Sequence, residues 1–181
     1  MVKELLQLGD PRLYTVSSEV TKEELPQLQS VIQDLRDTVM DNRRSYGFGK
    51  ALAAPQIGVF KRLIYFRTEQ TVGELISQAF GLAEDALAKH HILFINPVIS
   101  YPDEETMSVT DECMSFPNLL VKVERHKRCT ITYRDKNWEE HSLELEGELA
   151  GILQHEVDHL DGILSTQRAK NTKAFYSREV L

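Results

Sequence analysis

Apolar residues in the first quarter of the chain recur at steps of three and four. Leu25, Leu28, Val31, Ile32, Leu35, Val39 and Met40 make one stripe, which is the period of an amphipathic helix with one face on a core. Pro26 fits that helix only in its first turn, where its missing N–H is not needed. Thr21 followed by Glu24 has the spacing of a capping box just upstream. The helix is expected to stop before the polar, glycine-bearing stretch Asp41–Gly49. Gly9-Asp10-Pro11 reads as a turn.

Further on the period shortens to two. Val59 to Arg67 is strand-like, and so is Ile92 to Ile99. Asn96-Pro97 interrupts the second run, which makes it an edge strand or a bulged one. Leu119, Val121 and Val123 alternate, as do Cys129, Ile131 and Tyr133, and then Leu143 and Leu145. These are half-buried strands of an antiparallel sheet. Between the first two runs, Leu75, Ile76, Ala79, Leu82, Ala86 and Leu87 suggest a helical insertion over 68–91. Surface decoration is the expected role of such an insertion, with a lid or a dimer contact as alternatives. Gly147 to Leu160 returns to a helical pattern, with Asp161-Gly162 as its stop. Strands in the middle with helices before and after predict an α+β fold: antiparallel sheets packed around a C-terminal helix, with an N-terminal helix. The reading is one domain over 1–181, ending in a short, locally basic, solvated tail over 166–181.

Composition narrows the classes of function. The 181 residues are 41% hydrophobic and 27% charged, ordinary for a single globular domain. A net charge of −7 argues against broad electrostatic binding to nucleic acid or anionic membrane, so no specific DNA binding is expected. No apolar run reaches the roughly 18 residues of a membrane span. Met1 to Pro11 lacks the basic-then-apolar order of a secretion signal. Two cysteines, Cys113 and Cys129, make no disulfide scaffold. The expectation is a soluble protein of a reducing, cytoplasmic compartment.

The candidate chemistry lies in the last helix. His155-Glu156-Val157-Asp158-His159 places two imidazoles at i and i+4 on one helical face. They can converge on a metal ion, with Glu156 beside them as general base for a metal-bound water. A surface helix that merely carries two His and several acids is the alternative. A catalytic site also needs a third protein ligand. Cys129 sits in an alternating apolar run and reads as a core thiol. Cys113 lies in the aperiodic stretch Thr110 to Pro117, where a ligand and a free thiol are both open.

Three segments together resemble the signature motifs of the peptide deformylase family. Gly49-Lys50-Ala51-Leu52-Ala53-Ala54-Pro55-Gln56-Ile57-Gly58 is similar to G-x-G-x-A-A-x-Q-x-G, and Asp111-Glu112-Cys113-Met114-Ser115 to E-G-C-L-S. Gln154-His155-Glu156-Val157-Asp158-His159 matches Q-H-E-x-D-H. Gly9-Asp10-Pro11 with Leu13, and Ile95-Asn96-Pro97, also look like the family. The resemblance implies an enzyme that removes the formyl group from the N-formyl-methionine of nascent polypeptides. It implies that Cys113, His155 and His159 bind one divalent metal ion, commonly Fe²⁺, with Zn²⁺ or Ni²⁺ as substitutes. It gives Glu156 the proton transfers, and Gln56 and the backbone N–H of Met114 the oxyanion. Nascent chains as substrates suggest the ribosome as a weak partner of the tail, which carries Arg168, Lys170, Lys173 and Arg178.

The chain departs from the family's pattern at named places. Ala51 and Glu112 stand where the family usually has Gly, Asp111 where it has Glu, and Met114 where it has Leu. Ala51 implies either an ordinary backbone or a shifted one. Glu112 must point outward, meet a cation or enter the substrate cleft. Glu148 and Gly151, seven and four before His155, share its helical face. The family usually has larger apolar residues there, walling the pocket for the methionine side chain. These differences predict a wider or more polar pocket. They motivate the alternative of a diverged metal-dependent deacylase acting on another N-formyl or N-acyl substrate. An endopeptidase and a non-catalytic metal domain are more distant rivals.

Overall fold

The computed structural model describes residues 1–67 and 91–180. Helix α1 (Leu25–Tyr46) leads into β1 (Ala51–Ala53), a short 3₁₀ turn (Ala54–Ile57) and β2 (Leu63–Arg67). Then come β3 (His91–Ser100), β4 (Thr106–Glu112), β5 (Leu119–His126), β6 (Arg128–Arg134) and β7 (Glu140–Glu146). Helix α2 (Glu148–Leu160), the short α3 (Ser165–Arg168) and β8 (Phe175–Ser177) follow. The strands form a five-stranded sheet in the order β1-β2-β3-β6-β7 and a three-stranded sheet in the order β4-β5-β8. Every pairing between the described strands is antiparallel, as expected for the α+β class. No described helix is long and apolar enough to cross a membrane.

β2 shows how the layers stack. All five of its residues are buried. Leu63 and Tyr65 join Leu28, Leu35 and Val39 of α1, while Ile64 and Phe66 join Leu149, Leu153 and Val157 of α2. The large sheet therefore lies between the two helices, and a strand covered on both faces shows a continuous apolar run. Each such side chain taken from water contributes about 1.5–3 kcal/mol. Helix α2 is buried along nearly its whole length, so the surface-helix alternative fails. Its stop is Gly162, at φ 70; a Cβ there would lie 2.5 Å from the carbonyl oxygen of Tyr14.

Two boundaries and one strand position differ from expectation. Helix α1 runs through Asp41–Arg44 to Tyr46: those polar residues tolerate a helix, and the buried Asn42 side chain donates to the carbonyl of Phe48 at 2.8 Å. It ends at Gly47, whose left-handed backbone (φ 79) lets its N–H reach the carbonyl of Arg43 at 2.9 Å. The strand expected from Val59 starts only at Leu63. β3 is bulged, as Asn96-Pro97 predicts, yet it is an inner strand with β2 and β6 on either side. The Asn96 side chain compensates for the broken ladder: it bonds both the N–H and the carbonyl of Val20 at 2.8 Å.

The helical insertion expected over 68–91 falls outside the described residues, apart from His91, which opens β3. The tail is not simply solvated. β8 pairs with Leu119–Val121 of β5, and the Arg178 N–H reaches the carbonyl of Asn118 at 3.0 Å.

Candidate active site

Helix α2 and the end of β4 meet at one point. β4 finishes at Glu112, and a turn closed by Phe116 N–H on the carbonyl of Cys113 (3.1 Å) aims Cys113 at α2. Its Sγ lies 3.3 Å from Nε2 of His159, and the Nε2 atoms of His155 and His159 are 3.2 Å apart. One ligand atom from each of the three buried residues lies within 4.8 Å of the others. Nδ1 of His155 is 3.0 Å from the carboxylate of Asp111; donation there fixes the tautomer and leaves Nε2 free to coordinate. A thiol and two imidazoles so crowded are the donor set of a borderline-soft divalent ion, so the residues fit a metal. Cys129 is elsewhere, in the core with Ile131 and Leu145, and burial pushes its thiol up to about 11.

Behind His155 runs a buried chain of charges. Arg125 donates to Asp111 at 2.5 Å through Nη2 and to Asp158 at 3.0 Å through Nη1. Arg168 completes the chain on Asp158 at 2.6 Å. Burial alone would raise the Asp111 carboxyl. The hydrogen bonds and charges of His155 and Arg125 outweigh that and bring it down to about 2. Asp111 is thus held as an anion facing His155.

Gln56 is buried beside the thiol. Its Nε2 is 3.6 Å from Cys113 Sγ and donates to Ser115 Oγ at 3.2 Å, while its Oε1 accepts from Ala53 N–H at 3.0 Å. That bond orients the amide with its donors toward the site. No described residue accepts from the Met114 N–H. Glu156 is buried and its Oε2 has no hydrogen-bond partner among the described residues. Burial raises its carboxyl to about 7.

These groups open on one cavity of about 580 Å³. It lies between β1 and β4, which are end strands of their respective sheets. Ala51 is an ordinary strand residue there without positive φ. Glu112 meets a cation: its carboxylate accepts from Arg178 Nη1 at 2.8 Å, and the Arg178 guanidinium lies 4.1 Å from the Phe48 ring centroid. Glu148 does not simply face solvent. It lines the cavity and is ion-paired with Lys50. A Cβ on Gly151 would lie 3.4 Å from Met107 and 3.8 Å from Val109, so those side chains cover part of the space that a larger residue would fill.

Comparison with known proteins settles the family. The polypeptide deformylase family model matches residues 2–175. The chain belongs to the polypeptide deformylase family. The peptide deformylase of Erythrobacter litoralis is 35% identical over 173 residues, covering 90% of this chain and 87% of its own length. A peptide deformylase of Bordetella pertussis is 32% identical over 181 residues, covering 100% of this chain and 95% of its own. Among solved structures, the peptide deformylase of Legionella pneumophila superposes with a TM-score of 0.77 at 30% identity, over 96% of this chain and 89% of its own. That of Thermotoga maritima superposes at 0.75 and 29% identity, over 94% and 99%. As a deformylase the chain is a metalloenzyme, and Cys113, His155 and His159 offer a possible site for the ion.

Several residues of this deformylase site escape a reading of the sequence. Arg125 carries a signal: it shares the period-two face of Val121 and Val123, and an arginine at a core-facing position demands buried partners. Ser115, fully buried against Gln56, closes the second motif but nothing local shows its partner, and Arg178, 66 residues from Glu112, carries no signal. A second acidic group, Asp135, Glu139 and His141, lies at a turn. There Asp135 caps the N–H groups of Asn137 and Glu139 at 2.8 and 2.9 Å.

Proposed function

We propose that Cys113, His155 and His159 hold one divalent ion and that Glu156, Gln56 and the Met114 N–H carry out deformylation beside it. The convergence of the thiol and the two imidazoles next to a buried carboxylate with one unpartnered oxygen, Oε2 of Glu156, supports this reading. The enzyme is a peptide deformylase, a hydrolase that takes the formyl group from N-formyl-methionine of nascent polypeptides. The ion, when bound, supplies Lewis-acid polarisation and makes water more acidic. Fe²⁺ is the proposed native metal, with Zn²⁺ or Ni²⁺ able to occupy the same donors.

The substrate enters as an extended chain between β1 and β4, which end their sheets among the described residues, adding a strand by main-chain hydrogen bonds. Water adds to the formyl carbon and its proton passes to Glu156. The carbon–nitrogen bond then breaks, the amine leaves with that proton, and formate remains. Gln56 Nε2 and the Met114 N–H donate to the formyl oxygen as it gains negative charge. Asp111 and Arg125 position His155. The alternative of a diverged deacylase is not favoured. We read residues 1–181 as one catalytic domain working in the cytoplasm, with a weak contact to the ribosome through Lys170 and Lys173.

Formate release from formyl-Met-Ala-Ser tests the reading, with Fe²⁺ protein prepared without oxygen. The Glu156→Gln variant should bind metal equally and lose about 10²–10⁴-fold in rate. A fully metallated wild type that releases no formate would overturn it.

A further inference from the structure

The wall of the cavity beyond the metal ligands is unlike its inner end. On α2, Glu148, Gly151 and Ile152 lie seven, four and three residues before His155, so all four share one face. Seven residues of helix span about 10 Å. A side chain leaving the metal centre along this face first passes Gly151, Ile152 and, from β4, Val109. It then meets Glu148, tied across the cavity to Lys50, the residue before β1. The subsite is thus apolar along its length and ionic at its end.

Stability does not account for the pair. Both side chains are partly exposed, and such an ion pair contributes about 0–1 kcal/mol. Its effect falls on whatever enters the subsite. An apolar tip would strip water from an ammonium and a carboxylate without replacing its hydrogen bonds. A neutral polar tip replaces them: an amide or sulfoxide oxygen accepts from Lys50 Nζ, and an amide N–H donates to a Glu148 oxygen.

We propose that Lys50 and Glu148 broaden the first side-chain subsite, so that beside methionine it takes unbranched side chains of the same length ending in a neutral hydrogen-bonding group in preference to a wholly apolar chain such as norleucine. The proposal rests on the deformylase reading and adds the substrate class to it. Glutamine and methionine sulfoxide have the required shape, and norleucine is the apolar comparison.

The test is kcat/KM for formyl-X-Ala-Ser with X as Met, norleucine, Gln and Met sulfoxide. It is paired with dissociation constants of the Gln and norleucine peptides on the Glu156→Gln variant, whose slowed turnover lets binding be read. The wild type should favour Gln and Met sulfoxide over norleucine in both rate and binding. The double variant Lys50→Ile, Glu148→Leu should move the Gln-to-norleucine ratio toward norleucine by about 10–100-fold, the range for hydrogen bonds to charged groups. The single variant Lys50→Met should move the Met sulfoxide ratio the same way. A wild type that favours norleucine, or a ratio that neither variant changes, overturns the proposal. Release of formate from the Met and norleucine peptides alone would sink only this inference. No formate from any peptide would sink the deformylase reading beneath it.

Discussion

Asp111 accepts from Nδ1 of His155 at 3.0 Å while taking Nη2 of Arg125 at 2.5 Å. One carboxylate thus orients a candidate metal ligand and neutralises a buried arginine. Arg125, itself anchored on Asp158 at 3.0 Å, holds the carboxylate in place from behind. Asp111→Asn should weaken metal affinity by about 10–100-fold, the usual cost of losing such an outer partner. Asp111→Glu should retain most of it. Metal retention against a competing chelator reads the difference, and equal retention by wild type and Asn variant would refute the positioning role.

Gln56 has two jobs that substitution can separate. Gln56→Ala removes both the amide donors and the acceptor for Ala53 N–H. Gln56→Glu keeps the acceptor and loses the donors. Both should raise the barrier by about 2.7–4 kcal/mol, seen in kcat more than in KM. A Glu variant with normal kcat would mean that Gln56 is a structural anchor only.

The end of α2 depends on a residue without a side chain. At Gly162 the backbone is left-handed, and a Cβ would sit 2.5 Å from the Tyr14 carbonyl oxygen, so both features oppose any other residue. Gly162→Ala should cost at least about 1–2 kcal/mol from the backbone alone. The melting temperature should fall by several degrees. An unchanged melting temperature would show that the Tyr14 segment moves aside freely.

Cys129 predicts an alkaline effect. The folded protein holds its thiol proton up to about pH 11, whereas the unfolded chain releases it near about 8.5. The folded state therefore binds the proton more tightly. Stability from this group is complete below about pH 8.5 and is lost as pH rises toward 11. Denaturant unfolding of wild type and Cys129→Val across that range should show their stability difference shifting against the wild type. A constant difference would show that the buried thiol does not titrate this way.

Local periodicity determined much of this protein. The stripe from Leu25 to Met40, the alternation in β5, β6 and β7, and the two histidines one helical turn apart all follow from the geometry of a single element. That geometry is written in neighbouring residues. Tertiary structure decided what spacing does not encode. β4 has one buried residue in seven and becomes a strand because β5 pairs with it along its whole length. Cys113, already a possible ligand in the sequence, meets the two histidines only when the end of that strand is laid against α2. Lys50 meets Glu148 across 98 residues of sequence, and Asp111 meets His155 across 44. Such pairs form when packed layers bring distant chain segments together, and the layers are set by the summed burial of the core rather than by either residue of the pair.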